Sequence, residues 1–304
     1  MKTLKLVIGS RGSKLALAQT YYVKELLERI DKNLDIEIKI IKTKGDINQR
    51  APISQLGLGV FSRELDIKML NHEIDIAVHS LKDVPTLWNR DLTIAATPER
   101  ESYYDVMVYR RDKEIGDNSI VGTSSIRRRA FLSLKYPGIK IVPLRGNLDT
   151  RLKKLRDGKY EGIVVAEAGL RRLKIDLDTL NLDSVRLEIP PAPAQGVIGV
   201  AARKKDREII KLLKRINDSK TYLESSAERW ALRTYGGGCQ APFGALARYD
   251  IRRRELHLIC SVVDLENRRI LEEEGRIKCD IGDIEGAKKL ARDLGSKLRE
   301  KIEL

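Results

Sequence analysis

The order of apolar and polar residues predicts strands that alternate with helices over the larger N-terminal part of the chain. Short apolar runs, typical of buried strands, occur at residues 4–8, 36–41, 75–79, 92–96, 105–109, 120–122, 140–144 and 162–166. Helical spacing of apolar residues predicts helices at 13–30, 62–70, 126–134 and 148–155. This alternation predicts α/β architecture with doubly wound, largely parallel sheets.

The C-terminal pattern is different. A helix is predicted over 222–234, followed by a glycine-rich loop, alternating strands at 255–263 and 268–278, and an amphipathic helix over 284–302. We expect a small α+β domain there. Two segments interrupt the pattern and are predicted to be domain boundaries. One is the polar segment at 97–102, and the other is the segment at 187–196, whose prolines exclude a helix interior.

The charge is strongly positive. The 304 residues carry a net charge of +14, and 42% hydrophobic residues exclude a disordered polycation. An anionic partner is therefore expected: nucleic acid, an anionic membrane surface or a polyacidic small molecule. Residues 120–174 hold 14 basic and four acidic side chains, a local excess of 10. This clustering predicts an anion site in that segment.

Cysteine usage and the N-terminus limit other classes. Cys239, Cys260 and Cys279 are odd in number and form no CxxC pair, which argues against a disulfide framework and a structural zinc site. No metal is expected. The apolar run at 4–8 is too short for a signal peptide or a membrane span, so a cytoplasmic protein is expected.

Three segments place polar groups after predicted strands. Segment 122–128 (GTSSIRR) opens a helix with hydroxyls and arginines, either an anion cradle or ordinary capping beside solvated arginines. Segment 144–151 (LRGNLDTR) adds Arg145 and Arg151, at the edge where open α/β sheets bind ligands, unless both are plain surface residues. Segment 79–85 (HSLKDVP) offers a Lys-Asp pair, either an ion pair or a working carboxylate.

A fourth segment, 236–242 (GGGCQAP), surrounds a cysteine with glycines. Glycine backbone freedom suits an exposed loop tip, where Cys239 is either a nucleophile or a covalent attachment point. Cys260, in an apolar strand, and Cys279, at a strand end, are expected to be inert thiols.

Nine segments in order resemble the porphobilinogen deaminase (hydroxymethylbilane synthase) family. They are SRGSKLALAQ (10–19), TKGD (43–46), DIAVHSLKDVP (75–85), VGTSSIRRR (121–129), LRGNLDTRL (144–152), AGLRRL (168–173), PAPAQG (191–196), SAERW (226–230) and GGGCQAP (236–242). The resemblance implies two doubly wound domains like those of periplasmic binding proteins and a small C-terminal α+β domain. Their implied bounds are 1–98 with 190–216, 99–189, and 217–304.

The resemblance also implies an activity. The family's enzyme is a transferase of tetrapyrrole (heme) biosynthesis that joins four porphobilinogen units head to tail with loss of ammonia. Hydrolysis then releases the linear product, hydroxymethylbilane. The units are added to a dipyrromethane cofactor fixed by a thioether to the loop cysteine, here Cys239. A cytoplasmic monomer with porphobilinogen as its partner, and with no nucleic acid or membrane partner, is expected.

The resemblance assigns roles by position. Asp83 is the implied catalytic residue, because a carboxylate stabilises the cation left when ammonia departs. Besides Cys239 and Asp83, the implied cofactor contacts are Lys82, Thr123, Ser124, Ser125, Arg127, Arg128, Arg145, Gly146 and Asn147. The implied substrate contacts are Arg11, Ser13, Arg151, Arg172 and Gln195. Each pyrrole carries an acetate and a propionate, which suit bidentate arginines.

The chain departs from the family pattern in places, and two other classes compete. Gln55 and Leu58 stand where many relatives carry lysines in the loop over the active site, and Ala201 stands where a glutamate is usual. A non-catalytic solute-binding protein for an anionic ligand is the main alternative. A nucleic-acid binder using the basic segment is the second, and it would bind with steep salt dependence.

Overall fold

The computed structural model describes residues 4–43, 59, 62–236, 238 and 241–303. Contacts divide the chain into two compact units, described separately below. Unit 1 comprises Met1–Glu101 and Val197–Tyr222, and unit 2 comprises Ser102–Gly196 and Leu223–Leu304.

The strands are β1 Leu4–Ser10, β2 Leu34–Ile40, β3 Ile76–Ser80, β4 Leu92–Ala96, β5 Asp105–Arg110, β6 Ile120–Gly122, β7 Lys140–Val142, β8 Gly162–Ala166, β9 Leu182–Arg186, β10 Ile198–Arg203, β11 Phe243–Asp250, β12 Glu255–Asp264 and β13 Arg269–Lys278. The helices are α1 Lys14–Ile30, α2 Arg63–Leu70, α3 Ile126–Lys135, α4 Leu148–Arg156, α5 Glu167–Arg172, α6 Arg207–Lys214, α7 Ser219–Tyr235 and α8 Ile284–Glu303. Short 3-10 turns lie at Leu81–Asp83 and Asp178–Leu180.

Unit 1 is built on a five-stranded sheet in the order β2-β1-β3-β10-β4. β1 pairs in parallel with β2 and β3, whereas β10 runs antiparallel to both β3 and β4. Val23 and Leu27 of α1 are fully buried and pack on one face of the sheet, while Leu65 and Met69 of α2 pack in a separate cluster. Helices therefore cover both faces, as expected of a doubly wound sheet.

Unit 2 repeats this arrangement in a sheet ordered β7-β6-β8-β5-β9. β6 is parallel to β7 and β8, and β5 is antiparallel to β8 and β9. Successive side chains of β5 point to opposite faces of the sheet and pack in two separate cores. Val108 packs with Leu155 of α4, and Met107 packs with Phe131 of α3.

The C-terminal part of unit 2 is an antiparallel sheet, β11-β12-β13, with helices α7 and α8. Every second residue of β12, from Leu256 to Val262, faces a core that also contains Ala227 of α7 and Leu294 of α8. The period-two pattern of β12 is what makes one face of this sheet apolar.

The predicted fold class is confirmed, with two differences in detail. Each larger sheet contains one antiparallel strand, and the predicted elements do not include β9, β10, β11, α5 or α6. β9 has the sequence LDSVR and lies at a sheet edge with three exposed residues, so it lacks an apolar run. Among the described residues, no helix is long and apolar enough to cross a bilayer.

Candidate active site

In unit 1, the loop after β1 carries Arg11 and Ser13, both half-buried. Ser13 is the N-cap of α1, and its hydroxyl oxygen accepts a hydrogen bond from the Ala16 N–H at 3.3 Å. A capping serine retains its own hydroxyl proton as a donor. The loop therefore offers one hydroxyl and one guanidinium at the carboxyl end of the sheet.

The predicted acidic loop begins where β3 ends. Leu81 is buried and starts a 3-10 turn whose last residue, Asp83, is exposed, while Lys82 is half-buried. The Gln19 side chain of α1 hydrogen-bonds the Ser80 hydroxyl at 2.9 Å, which ties the start of this turn to the helix. The Asp83 carboxylate is therefore exposed to solvent, while buried Leu81 and the hydrogen bond between Gln19 and Ser80 hold the backbone of the turn in place.

One residue before Ser80, His79 is buried in β3. Its Nε2 atom has no hydrogen-bond partner among the described residues. Burial, and secondarily the charge of Arg11, lower the pKa of His79 to about 4. The imidazole is therefore neutral at pH 7, which is how a lone histidine tolerates burial.

In unit 2, the hydroxyls of segment 122–128 bind backbone groups at the start of α3. Ser125 caps α3 by accepting from the Arg128 N–H, and Thr123 Oγ1 accepts from the Ser125 N–H, both at 3.3 Å. Ser124 Oγ donates to the Leu144 carbonyl at 2.8 Å, which joins this loop to the end of β7. The capping alternative is thus realised, and the half-buried Ser125 keeps its own hydroxyl proton as a donor, whereas Thr123 is fully buried.

Arg127 and Arg128 converge on one buried carboxylate, Asp105 at the start of β5. Arg127 Nη2 lies 2.7 Å from Asp105 Oδ2, and Arg128 Nη2 lies 2.7 Å from Oδ1. Arg128 Nη1 also donates to the Val164 carbonyl at 2.7 Å. Burial lowers the pKa of Arg127, and Asp105 opposes that effect. These arginines are buried and paired, so the solvated-face alternative is wrong for them.

Gln195 belongs to the same buried network. Its amide nitrogen donates to Asp105 Oδ1 at 3.0 Å and to the Tyr103 carbonyl at 2.8 Å. Arg172, at the end of α5, donates to the Gly196 carbonyl at 2.7 Å. Three separate predicted contact residues, Arg127, Arg128 and Gln195, are therefore brought together by one acid.

The loop between β7 and α4 holds the remaining predicted contacts. Gly146 has φ +114°, and a Cβ there would lie 2.8 Å from Thr150, so this turn requires glycine. Arg151 Nε donates to the Gly146 carbonyl at 2.8 Å, and Asn147 is the exposed N-cap residue of α4. Arg145 is half-buried, and no hydrogen bond or ion pair joins its guanidinium to another described residue.

Some predicted positions lie outside the described residues. These are Cys239, Gln55 and Leu58. The other two cysteines are described: Cys260 is fully buried in the C-terminal core, and Cys279 is half-buried. Burial raises the pKa of both thiols, and nearby carboxylates raise it further. Both are protonated at pH 7, as expected of inert thiols.

The described residues fit a carboxylate-bearing group such as dipyrromethane. The Arg145 guanidinium has no partner among the described residues, and a guanidinium is a donor of the kind that carboxylates accept. The residues that would hold the cofactor in unit 2 are therefore Arg145 and the hydroxyls near the ends of β6 and β7.

Asp105 is the residue that sequence reasoning missed. An acid at the first position of an apolar strand was a usable signal, because a buried carboxylate needs cationic partners. The pattern did not reveal that its partners would be Arg127 and Arg128. Gln19 and His79 are likewise unpredicted: both are buried polar residues, one in helix α1 and one in strand β3.

Comparisons with known proteins cover almost the whole chain. A family model described as porphobilinogen deaminase, dipyromethane cofactor binding domain, matches residues 6–211, and the model for the C-terminal domain matches 222–303. A probable porphobilinogen deaminase of Methanocaldococcus jannaschii is 50% identical over 294 residues, covering 96% of this chain and 99% of the relative. One from Archaeoglobus fulgidus is 41% identical, covering 96% and 98%.

Among solved structures, the periplasmic VFT2 domain of Bordetella pertussis BvgS is 18% identical with a TM-score of 0.43. That match covers 70% of this chain and 86% of the domain. By the family models and by its relatives, the chain belongs to the porphobilinogen deaminase family.

Proposed function

We propose that the chain carries out its family's reaction with a basic binding surface in unit 2 and an acidic loop in unit 1. The activity is that of a hydroxymethylbilane synthase, a transferase that joins porphobilinogen units with loss of ammonia. The observation that carries the proposal is the Arg145 guanidinium, left without a described partner at a strand end beside the hydroxyls of α3. Such a donor set matches a ligand that bears several carboxylates.

In unit 2, the arginines divide into two groups by their contacts. Arg145, Arg151 and Arg172 are half-buried rather than buried, and they are the proposed binders of pyrrole acetates and propionates. Arg127 and Arg128 are buried against Asp105, so they add positive potential and fix the backbone at the start of α3. When bound through Cys239, the dipyrromethane would supply the pyrrole to which the first porphobilinogen unit is joined.

In unit 1, Asp83 is the proposed catalytic residue. Its carboxylate is exposed, on a turn held by buried Leu81 and by the bond between Gln19 and Ser80. A fixed carboxylate near a pyrrole N–H stabilises the positive charge that develops as ammonia leaves porphobilinogen. The same carboxylate acts as a general base and acid in proton transfer at the pyrrole nitrogen. Arg11 and Ser13 are the proposed substrate contacts in unit 1.

Cys239 is the proposed attachment residue. Support comes from the other two cysteines, because burial keeps the thiols of Cys260 and Cys279 protonated and Cys260 inaccessible. Gly236 and Gly238, on the N-terminal side of Cys239, have positive φ values of +95° and +57°, conformations that favour glycine.

The finer statements about cell and assembly are also proposals. We propose a cytoplasmic monomer whose partner is porphobilinogen, with no role for nucleic acid or membrane. The buried pairing of Arg127 and Arg128 supports only the proposal of no role for nucleic acid, because buried arginines do not present a phosphate-binding surface. We further propose three domains: 1–98 with 190–216, 99–189, and 217–304.

Intact-mass measurement of the purified protein tests the attachment. The wild-type protein should carry an added mass equal to one dipyrromethane, and Cys239→Ser should lack it and turn over no porphobilinogen. Cys279→Ser is the matched control and should keep both the added mass and the activity. A folded wild-type protein that carries no added mass and consumes no porphobilinogen would overturn the proposed function.

A further inference from the structure

Glu228, on α7, connects two segments of unit 2. Its side chain is fully buried. Oε2 accepts a hydrogen bond from the Ala194 N–H at 2.6 Å, and Oε1 accepts one from the Ala247 N–H at 2.9 Å. Ala247 lies in β11, the strand that follows the Cys239 loop in the chain. One carboxylate therefore holds two backbone segments by separate oxygens.

The Ala194 side of this link leads to the arginine pair. Ala194 has φ +61°, a left-handed conformation that costs a non-glycine residue about 1 kcal/mol. The bond to Glu228 helps to hold the backbone in that conformation. The next residue, Gln195, donates to Asp105, and Asp105 pairs with both Arg127 and Arg128.

The same proline-rich segment also packs tightly on β11. The Ala245 N–H donates to the Pro191 carbonyl at 3.0 Å. A Cβ added at Gly244 would lie 2.5 Å from Pro190 Cβ and 2.9 Å from its carbonyl oxygen, so the two backbones are in close approach. Segment 190–196 and the start of β11 are thus fastened at three neighbouring points.

We propose that Glu228 is a positioning residue for the reaction. It holds strand β11, which follows the proposed attachment residue Cys239 in the chain, in a fixed position relative to Arg127 and Arg128. This inference rests on the proposed function. A carboxylate suits the task because it accepts at both oxygens, whereas glutamine has only one accepting oxygen. A displacement of about 1 Å at a reacting group can cost about 100-fold in rate.

Glu224 provides a matched control. It lies one helical turn before Glu228 on α7, is also buried, and its Oε1 accepts from the Tyr249 N–H at 2.8 Å. Tyr249 is further along β11, so this bond fastens the same helix to the same strand without involving Ala194. Removing it should weaken packing without altering the link to the arginine pair.

The experiment compares the full-length variants Glu228→Gln and Glu224→Gln with wild type. The loaded fraction, which is the fraction of protein that carries the dipyrromethane primer, is measured by intact mass. The kcat and KM for porphobilinogen are measured well below the melting temperature of each variant. We expect Glu228→Gln to lower kcat or the loaded fraction at least about tenfold, with a smaller change in KM. Glu224→Gln should lower the melting temperature about as much as Glu228→Gln does. Its kcat and loaded fraction should stay within about twofold of the wild-type values.

If Glu228→Gln does not fold, Glu228→Asp is the second variant, because it keeps the charge but is too short to reach both N–H groups. Wild-type kcat and full loading in the Glu228 variant overturn the proposal. So does an equal loss of kcat in both variants, since a purely structural role predicts that result. A wild-type protein that consumes no porphobilinogen overturns the proposed function instead, which separates the two failures.

Discussion

The two five-stranded sheets have the same design but carry different side chains at their strand ends. In each, three parallel strands are followed by one antiparallel strand and then an edge strand. In each, the helix after the middle one of the three parallel strands, β1 or β6, begins with a serine cap, Ser13 in unit 1 and Ser125 in unit 2. The unit 1 strand ends present the exposed carboxylate of Asp83 as well as the half-buried Arg11 and Lys82, whereas those of unit 2 present arginines and hydroxyls. The scaffold sets where side chains emerge, and residue type sets the chemistry.

Both units bury charge by pairing, as Arg203 of unit 1 does with Asp206 at 2.6 Å, and unit 1 also buries a neutral histidine. Unit 2 buries charge by pairing, since Asp105 is matched by two guanidiniums. Unit 1 buries His79 in its neutral form, because burial lowers the pKa to about 4. Both solutions avoid an unpaired buried charge. They predict different responses to substitution and to pH.

The largest expected effect is on turnover, in unit 1. Asp83→Asn should lower kcat by about 100- to 10,000-fold, the range that positioned acid–base groups contribute. Because Asp83 is exposed, the melting temperature should be unchanged. Steady-state kinetics and thermal unfolding check this. Asp91→Asn, at another exposed acid of unit 1, is the control, and near-normal turnover by Asp83→Asn would remove Asp83 from its role.

The next effect is on stability, in unit 2. Asp105→Asn leaves Arg127 and Arg128 buried without a counter-charge, which should lower the free energy of unfolding by about 3–5 kcal/mol. Asp112→Asn is the control, because Asp112 is 60% exposed and pairs with Arg110 at 3.4 Å near the end of the same strand. Its loss should be at most about 1 kcal/mol. Equal losses in urea unfolding would contradict the contrast between buried and surface pairs.

A third prediction concerns pH and His79. The unfolded-state imidazole binds a proton below about pH 6.5, whereas the folded state does so only near its pKa of about 4. The contribution of His79 to the free energy of unfolding is therefore fully present above pH 6.5. It falls by about 3 kcal/mol as the pH is lowered toward 4. Asp66 acts oppositely, since burial raises its pKa to about 6.

Because these two groups offset each other, the measurement is a difference between proteins. His79→Gln should show a smaller loss of unfolding free energy than wild type between pH 6.5 and 4, with the Asp66 contribution common to both. Urea unfolding at several pH values checks this. Parallel stability curves for the two proteins would contradict the neutral burial of His79.

The smallest effect is expected at Arg145 in unit 2. Removing one charge-assisted hydrogen bond costs about 1.5–3 kcal/mol, so Arg145→Ala should raise KM or lower primer loading by about 10- to 100-fold. Arg156→Ala, at an exposed arginine of α4, is the control and should change neither. Arg145→Lys keeps the charge and should lie between. Unchanged KM and loading in Arg145→Ala would show that this guanidinium binds no carboxylate.

Much of the fold follows from the sequence, because strongly periodic segments fix their own structure. Helix α3 and strands β4, β6 and β8 lie where the apolar pattern predicts them, and the basic segment indicates where an anion site is built. β10 was not predicted, although residues 197–202 (VIGVAA) form an apolar run of the kind that indicates a buried strand. What that run cannot show is the antiparallel pairing of β10 with β3 and β4, which come from distant parts of the chain.

The sequence by itself determined the residue types of the site, their order along the chain and the family that this order indicates. Only the tertiary structure decided which of those residues are buried together. Asp105, Arg127 and Gln195 are far apart in the chain, as are Ala194, Glu228 and Ala247, and their contacts arise from strand pairing and helix packing. Because a buried charge requires a partner, the fold turned arginines that could have been surface residues into a fixed network around one carboxylate.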